Sequence, residues 1–139
     1  MSQIEEIRRF LAEYRDALSA CDTARICRFY IEPFQISSPD FLVNFPSLRQ
    51  AARHMDALFE KYRSDGFGKA VIKTLAIREY ESGHAIADLT WKLETAAGDE
   101  IISFDTTYIV RKYQGCWKIV FVMDHNANER FKTIAQPSS

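Results

Sequence analysis

In the first half of the chain, hydrophobic residues recur at alternating steps of three and four positions, which is the spacing of one face of an α-helix. The first of these runs consists of Ile4, Ile7, Leu11, Tyr14 and Leu18. Ser2 and Glu5 precede it with the spacing of a capping box, in which side chains bind the free amides of the first turn. A short second helix is predicted to begin near Asp22 or Thr23 and to end before Pro33, since proline interrupts helical hydrogen bonding.

A third amphipathic helix is predicted between Ser47, which forms a cap with Gln50, and Gly66. Its apolar positions are Leu48, Ala51, Met55, Leu58, Phe59 and Tyr62. Before this helix, a strand with period-two alternation is predicted, and its alternating residues are Phe34, Ile36 and Ser38. Residues 41–45 form a candidate second strand.

From residue 69 to residue 126 the hydrophobic period changes to two, which is typical of β-strands. Four strands are separated by short turn segments at residues 81–83, 96–99 and 113–115, each of which contains a glycine. Links this short join antiparallel neighbours. The predicted fold class is therefore α+β, with three N-terminal helices packed on one face of a mostly antiparallel sheet.

The last hairpin decides which residues of the final strand face the helices. A two-residue loop at Gln114 and Gly115 requires a positive φ angle at both positions, which glutamine tolerates poorly. We therefore expect a three-residue loop over residues 113–115. Its predicted pairs are Lys112 with Cys116, Phe104 with Asp124 and Thr106 with Val122. With the two-residue loop, Asp105 would instead face Asp124 directly.

In the preceding hairpin we expect a four-residue loop over residues 96–99. This loop pairs Trp91 with Phe104 and Leu89 with Thr106. The helix-covered face of the sheet is then predicted to comprise Ala87, Leu89, Trp91, Leu93, Ile102, Phe104, Tyr108, Val110, Val120 and Val122. The opposite face includes an apolar group that is too large to leave in solvent, namely Trp117, Ile119, Phe121 and Met123. We expect this group to form a two-fold homodimer contact, and a C-terminal tail folded over it is the alternative.

Asp124 is exceptional on the helix-covered face, because a carboxylate among aromatic residues is penalised when it is charged and its pKa is expected to rise. Such a group suits general acid–base catalysis, and Tyr14 is a candidate hydrogen-bond donor to the same space. The predicted pocket is completed by Ser38, His54, Leu58, Leu89, Trp91, Phe104, Thr106, Tyr108, Val122 and Asn126. The alternatives are that Asp124 caps backbone amides or pairs with an arginine, that Tyr14 is a core residue and that His54 is a partly exposed helix residue.

The 139 residues are 47% hydrophobic and 27% charged, which suits one packed domain. We expect it to span residues 1–139, with a core of about 4–131 and a polar tail over 132–139. The net charge of -1, without a basic block, argues against a nucleic acid or an anionic membrane as partner. The longest apolar run, residues 119–123, is far shorter than the ~20 residues of a membrane helix.

Three cysteines without CxxC spacing argue against a disulfide framework or a zinc site and favour a cytoplasmic location. Residues 1–10 are charged and lack the apolar centre of a signal peptide. The three histidines do not have the spacing of metal ligands, and no glycine-rich phosphate-binding motif is present. We therefore expect no metal and no cofactor, and a small molecule as the partner.

Two helices, a strand, a third helix and a long meander that closes on RKYQGCWKIVFVMDHNA resemble the nuclear transport factor two-like superfamily. Within it the pattern is similar to the SnoaL-like polyketide cyclases, the ketosteroid isomerases and the scytalone dehydratases. The resemblance covers residue 4 to about residue 131. It implies a cone-shaped domain, a cystatin-like α+β roll, whose strongly curved sheet and helices enclose a pocket and which commonly dimerises through the sheet.

The resemblance also suggests roles for single residues. Tyr14 is similar to the first-helix tyrosine that helps to form the oxyanion hole of ketosteroid isomerases, where a neutral acid lies beside an ionised base. The base aspartate of that family lies before a proline on the first strand, and here that place is occupied by Ser38 and Pro39. The family's second acid falls near Asp105, which the predicted register turns outward. The paired histidines of scytalone dehydratases have no counterpart.

These observations lead to two hypotheses. The first is a cofactor-independent enzyme that isomerises, cyclises or dehydrates a small, mostly apolar ligand, such as a polyketide-like or terpenoid ring, with Asp124 as acid or base and Tyr14 as donor. The second is a non-catalytic ligand-binding or interaction domain, because a fold does not by itself specify a function.

Overall fold

The computed structural model describes residues 1–125, which form three helices and six strands. The elements are α1 Gln3–Ser19, α2 Thr23–Cys27, β1 Tyr30–Ser37, β2 Leu42–Phe45, α3 Leu48–Ser64, β3 Phe67–Glu79, β4 His84–Thr95, β5 Glu100–Tyr113 and β6 Cys116–Asp124. The predicted α+β class, with helices packed on a curved sheet, is confirmed. None of the described helices is long and apolar enough to cross a membrane.

Each helix begins where the sequence provides a capping side chain. Ser2 and Ser47 accept hydrogen bonds from the backbone amides three residues later, at 3.1 and 3.3 Å, and Asp22 does the same for α2 at 3.1 Å. These bonds satisfy amides that the first turn of a helix leaves free. The second helix is shorter than its predicted limit at Pro33, because the chain enters β1 at Tyr30.

The six strands form one sheet in the order β2-β1-β6-β5-β4-β3. The meander from β3 to β6 is antiparallel, as predicted, whereas β1 pairs with β6 in parallel. This parallel pair places Tyr30 beside Ile119 and Ile36 beside Val122. It was not predicted, because parallel partners are distant in sequence and no turn signals them. The pair places the first strand within the sheet, between β2 and β6.

The hairpin between β4 and β5 agrees with its predicted register. Trp91 lies opposite Phe104, and Leu89 lies opposite Thr106. All four side chains are buried on the face that the helices cover. The remaining predicted members of this face are buried too, except for two partly exposed residues, Ile102 and Val120.

The predicted three-residue loop of the last hairpin is wrong. Gln114 and Gly115 alone form the loop, with φ angles of 51° and 81°, so that Tyr113 lies opposite Cys116. Glutamine therefore adopts the left-handed conformation that the prediction avoided. The twist of a two-residue turn with two positive φ angles matches that of the flanking strands, and this advantage outweighs the local strain. The three predicted pairs, Lys112 with Cys116, Phe104 with Asp124 and Thr106 with Val122, do not form.

A β-bulge at Val120 changes which side chains in the last part of β6 point toward the helices. Before it, Val110 lies opposite Ile119, and after it Ile109 lies opposite Phe121, so Val120 is an extra residue. One extra residue exchanges the two faces of a strand. Asp124 therefore lies opposite Thr106 on the helix-covered face, as predicted, although with a different partner.

The same bulge contradicts half of the predicted dimer surface. Trp117 and Ile119 precede it and face the helices, where they are 7% and 0% exposed. The indole Nε1 of Trp117 donates a hydrogen bond of 2.9 Å to Glu6 of α1. These two residues therefore belong to the core and not to an outer surface. Phe121 and Met123 follow the bulge and lie on the outer face, where both are partly exposed.

Because Gln114 is a non-glycine residue at positive φ, the change Gln114→Asn should stabilise the protein. Asparagine adopts the left-handed conformation more readily, and we expect the free energy of unfolding to rise by about 0.5 kcal/mol in urea denaturation. Gln35→Asn, in the extended strand β1, is the matched control and should bring no gain. Equal effects of the two substitutions would contradict the turn geometry.

Candidate active site

A cavity of about 50 Å³ lies between the concave face of the sheet and helices α1 and α3. Nine of the residues predicted for the site line it: Tyr14, His54, Leu58, Trp91, Phe104, Thr106, Tyr108, Val122 and Asp124. Seven further lining residues were not predicted: Leu18, Tyr30, Ile36, Phe41, Val43, Met55 and Tyr62. Most of these residues lie on helices α1 and α3 or on strands β1 and β2. Their sequence pattern indicated that they are buried, but not that they face a cavity.

Asp124, the last residue of β6, supplies the acidic group of the cavity. It is 8% exposed, and the Thr106 hydroxyl donates a hydrogen bond of 3.2 Å to its Oδ1. Burial raises its pKa from 3.8 to about 6, while the Thr106 hydrogen bond and the nearby His125 lower the pKa by less. Within residues 1–125, no lysine or arginine forms an ion pair with it, so the alternative of an arginine-paired carboxylate is not found there.

Three buried tyrosines and a tryptophan lie beside this carboxyl in the cavity wall. The Tyr14 and Tyr30 hydroxyl oxygens are 2.6 Å apart, and the Trp91 indole Nε1 donates to the Tyr108 hydroxyl at 3.2 Å. The aromatic rings of Tyr108 and Tyr14 also pack together, with their centroids 5.6 Å apart. Burial raises the pKa of all three phenols well above 10, so they stay protonated and can donate hydrogen bonds at neutral pH.

Tyr30 is one of the buried cavity residues that the sequence analysis missed. It begins β1 and reaches the cavity because β1 pairs with β6 next to Ile119. The alternation that identified Phe34 and Ile36 is interrupted on its N-terminal side by Glu32 and Pro33. Extending the period-two pattern backwards across that interruption would have placed Tyr30 on the same face.

His54 lies on α3 and lines the cavity as predicted. Burial lowers its pKa from 6.5 to about 4, so the imidazole is neutral at physiological pH. Its ring centroid is 5.2 Å from that of Phe45. His54, Phe41 and Val43 are partly exposed, so they form the opening of the cavity.

Two predicted pocket residues are not part of the cavity lining, and a third cannot be placed. The Ser38 Oγ accepts hydrogen bonds from the backbone amides of Asp40 and Phe41, both at 3.2 Å, and thereby stabilises the turn after β1. Leu89 is buried in the core without lining the cavity. Asn126 lies outside the described residues. Short polar side chains such as serine compete for nearby backbone amides, which explains the position of Ser38.

Asp105, the position of the family's second acid, lies on the outer face of the sheet. It accepts a hydrogen bond of 2.7 Å from the Thr90 hydroxyl. The two-residue loop alone would have placed Asp124 opposite Asp105 on the outer face, but the bulge at Val120 places Asp124 opposite Thr106, while Asp105 faces outward. Asp124 is therefore the acid that the cavity contains among residues 1–125, and no cluster of three potential metal ligands is present in that part of the chain.

Comparison with known proteins identifies the family. Residues 5–127 match the family model described as NTF2-like protein (DUF6841). The chain belongs to this family. It matches none of the curated proteins.

Solved structures with the same fold are distant in sequence. An NTF-2 like protein of unknown function from Shewanella oneidensis is 17% identical, with a TM-score of 0.72 over 90% of this chain and 100% of that chain. A cystatin-like protein of unknown function from Nostoc punctiforme is 11% identical, with a TM-score of 0.73 over 93% and 96% of the two chains. An NTF2-like protein from Novosphingobium aromaticivorans is 14% identical, with a TM-score of 0.72 over 96% and 88%. At these identities the comparisons show the fold.

The raised pKa of Asp124 predicts how stability depends on pH. The carboxyl binds its proton more tightly in the folded state than in the unfolded state, where its pKa is near 3.8, so stability falls as the pH rises from about 4 to about 6. At about 1.4 kcal/mol per unit, the loss amounts to roughly 3 kcal/mol. Asp124→Asn removes it and should be more stable than the wild type above pH 6, as measured by urea denaturation.

Asp105→Asn, on the outer face of β5, is the control for this prediction and should retain the pH dependence of the wild type. A direct check is a carbon-13 NMR titration of the Asp124 carboxyl, with an expected midpoint near pH 6. A midpoint near 4 would contradict the burial of the charge.

Proposed function

We propose that this protein binds a small, mostly apolar ligand in the cavity and that Asp124 moves a proton during a cofactor-independent isomerisation, cyclisation or dehydration. The observation that supports this proposal is a buried carboxyl with a raised pKa in an otherwise apolar cavity, next to phenol hydroxyls that can donate hydrogen bonds. Groups whose pKa is shifted by burial in a cleft are frequent at catalytic sites.

The electrostatics suit proton transfer. With a pKa of about 6, Asp124 is mostly ionised at pH 7 and is a stronger base than an exposed aspartate. The neighbouring phenols remain neutral and can stabilise the negative charge that develops on a ligand oxygen. The neutral imidazole of His54 at the opening adds no positive charge that would neutralise the carboxylate.

The size of the cavity limits the ligand. A space of about 50 Å³ holds only a few water molecules. A polyketide-like or terpenoid ring therefore requires the side chains at the opening, Phe41, Val43 and His54, to move outward. A compact ligand fits with less rearrangement.

A non-catalytic ligand-binding domain is the second candidate function. It is supported by Ser38, which occupies the place of the family's base aspartate and is engaged in a turn. Without that carboxylate, the route of enolisation known from the family lacks its base. In that case Asp124 affects the affinity of the cavity for its ligand and takes part in no reaction.

One experiment separates the two functions. Ligands that co-purify are released by denaturation, identified by mass spectrometry and tested for turnover and for an increase in Tm. For an enzyme, Asp124→Asn should lower kcat by about 10²-fold or more, while Kd changes little. The wild-type kcat/KM should also rise with pH through about 6, because the base must be ionised.

Asp105→Asn serves as the control variant, because it removes a carboxylate of the neighbouring strand from the opposite face of the sheet. If no ligand that raises the Tm is turned over, the catalytic function is wrong and the binding function remains. If Asp124→Asn and Asp105→Asn behave alike, Asp124 has no special role.

We also propose that two copies associate through the outer face of the sheet. Ile86, Ile109 and Phe121 lie side by side on β4, β5 and β6, and Met123 extends this row. All four are partly exposed. An apolar row across three strands suits a self-complementary contact about a two-fold axis.

The change Phe121→Glu tests this association by placing a charge in the centre of the row. We expect it to shift the protein from dimer to monomer in analytical ultracentrifugation. Thr74→Glu, on the outer face of the edge strand β3 and away from the row, should leave the association state unchanged. An unchanged dimer, or a monomeric wild type, would overturn the proposal.

A further inference from the structure

Asp124 brings a negative charge into the cavity, and none of the described residues balances it. The carboxyl is 8% exposed, and with a pKa of about 6 it is mostly ionised at pH 7. Among residues 1–125, none of the ion pairs includes it, and the hydrogen bond that it accepts comes from the neutral hydroxyl of Thr106. A carboxylate that is removed from water is strongly unfavourable unless an opposite charge lies beside it.

Two histidines of the described chain lie near this carboxylate without supplying the missing charge. His54 lines the cavity, but burial lowers its pKa to about 4 and leaves the imidazole neutral. His125 follows Asp124 directly and is exposed, with its Nε2 2.6 Å from the hydroxyl of Thr107 on the outer face of the sheet. No lysine or arginine among residues 1–125 lines the cavity. That part of the chain therefore leaves a place for a positive charge beside Asp124 and does not fill it.

Aromatic side chains border the carboxylate on the same face of the sheet. Asp124 lies opposite Thr106 of β5, and Phe104 and Tyr108 are two residues before and after Thr106. Both aromatic residues are therefore diagonal neighbours of Asp124, at a separation that large side chains bridge. Trp91 of β4 lies opposite Phe104 and extends the aromatic wall.

Two tyrosines continue this wall on the side of α1 and β1. The ring centroid of Tyr14 is 5.6 Å from that of Tyr108 and 6.1 Å from that of Trp91. It is 6.0 Å from the ring centroid of Tyr30. All four rings line the cavity. The faces of aromatic rings carry partial negative charge and attract cations that lie within about 6 Å of the ring centroid, so this wall favours a positive charge while it remains apolar.

We infer that the cavity binds a small aliphatic amine in its protonated, positively charged form. The ammonium group donates a hydrogen bond to the carboxylate of Asp124, and the adjoining methylene groups, which share the positive charge, lie against the aromatic rings. Aromatic faces are a common means of recognising ammonium ligands, and a carboxylate adds a charge-assisted hydrogen bond.

Ligands of other charge are less compatible with this cavity. An anionic ligand would be repelled by the ionised Asp124 at close range. A neutral ligand would leave the charge of the carboxylate uncompensated and would exclude the water that solvates it. The volume of about 50 Å³ favours a compact amine. The inference rests on the part of the proposed function in which the cavity binds a small ligand, and it requires no turnover.

Pyrrolidine and tetrahydrofuran are matched probes, because both are compact saturated rings and only pyrrolidine is positively charged at neutral pH. In the wild type, pyrrolidinium should bind at least about tenfold more tightly than tetrahydrofuran, as measured by NMR titration. Asp124→Asn should weaken the Kd of pyrrolidinium by about 10- to 100-fold and leave that of tetrahydrofuran nearly unchanged. The preference for the charged ring should thus disappear with the carboxylate.

Three further variants test the two parts of the site. Phe104→Leu removes one aromatic face and should weaken the binding of pyrrolidinium about threefold more than that of tetrahydrofuran. Asp105→Asn, on the outer face of β5, is the matched control and should leave both Kd values unchanged. Arg130 and Lys132 lie outside the described residues, and replacing both by glutamine should also leave the Kd of pyrrolidinium unchanged.

A measurement on the wild type alone gives a second readout. With saturating pyrrolidinium, the midpoint of the carbon-13 NMR titration of the Asp124 carboxyl should fall from about 6 to about 5 or below, because a bound cation stabilises the ionised form. With saturating tetrahydrofuran the midpoint should not fall. A midpoint that pyrrolidinium leaves at about 6 contradicts the contact between the ammonium group and Asp124.

The inference is also overturned if pyrrolidinium does not bind, if tetrahydrofuran binds equally well, or if the preference persists in Asp124→Asn. Tighter binding of pyrrolidinium after replacement of Arg130 and Lys132 would show that a cation of the chain itself pairs with Asp124, and would overturn it too. Failure of the proposed function has a different result. Turnover of a neutral ligand without binding of pyrrolidinium removes only the inference, whereas binding of pyrrolidinium without turnover of any ligand removes only the catalytic function.

Discussion

The β-bulge at Val120 is the constraint on which the candidate site depends. Alternating side chains leave a strand only two faces, so one extra residue decides which half of β6 points toward the helices. Before the bulge, Trp117 and Ile119 belong to the core, and Trp117 donates a hydrogen bond to Glu6 of α1. After it, Val122 and Asp124 face the cavity. A strand without the bulge would direct Asp124 into solvent and Phe121 into the cavity, and the cavity would then have no acid.

The cavity contains two kinds of polar group, phenol hydroxyls and a carboxylate, which differ in how completely other protein groups compensate for their burial. The hydroxyls of Tyr14, Tyr30 and Tyr108 have hydrogen-bond partners within the protein, whereas no lysine or arginine among the described residues balances the charge of Asp124. Burial of a charged group without a partner reduces stability, and natural proteins retain such groups mainly at functional sites. Asp124 lines the cavity, which is the physical reason to place the ligand beside it.

Membership in the NTF2-like family is consistent with this cavity but does not define its chemistry, since fold and function are separable. Ser38 follows the first strand at the place where the resemblance leads one to expect a base, and it stabilises a turn. The acid of this cavity, Asp124, lies on β6, and one of its buried phenols, Tyr30, lies on β1. The two strands are parallel neighbours, so the same cavity is retained with its polar groups in other places.

Local chemistry made much of the structure predictable from the sequence. Ser2 and Ser47 mark the helix starts because a capping hydroxyl acts within three residues, and the period-two pattern placed Trp91 opposite Phe104 and Asp124 toward the helices. Only the tertiary structure decided the positive φ of Gln114, the bulge at Val120 and the parallel pairing that brings Tyr30 into the cavity. These features depend on strand twist and on contacts between residues far apart in the chain, which no local pattern records.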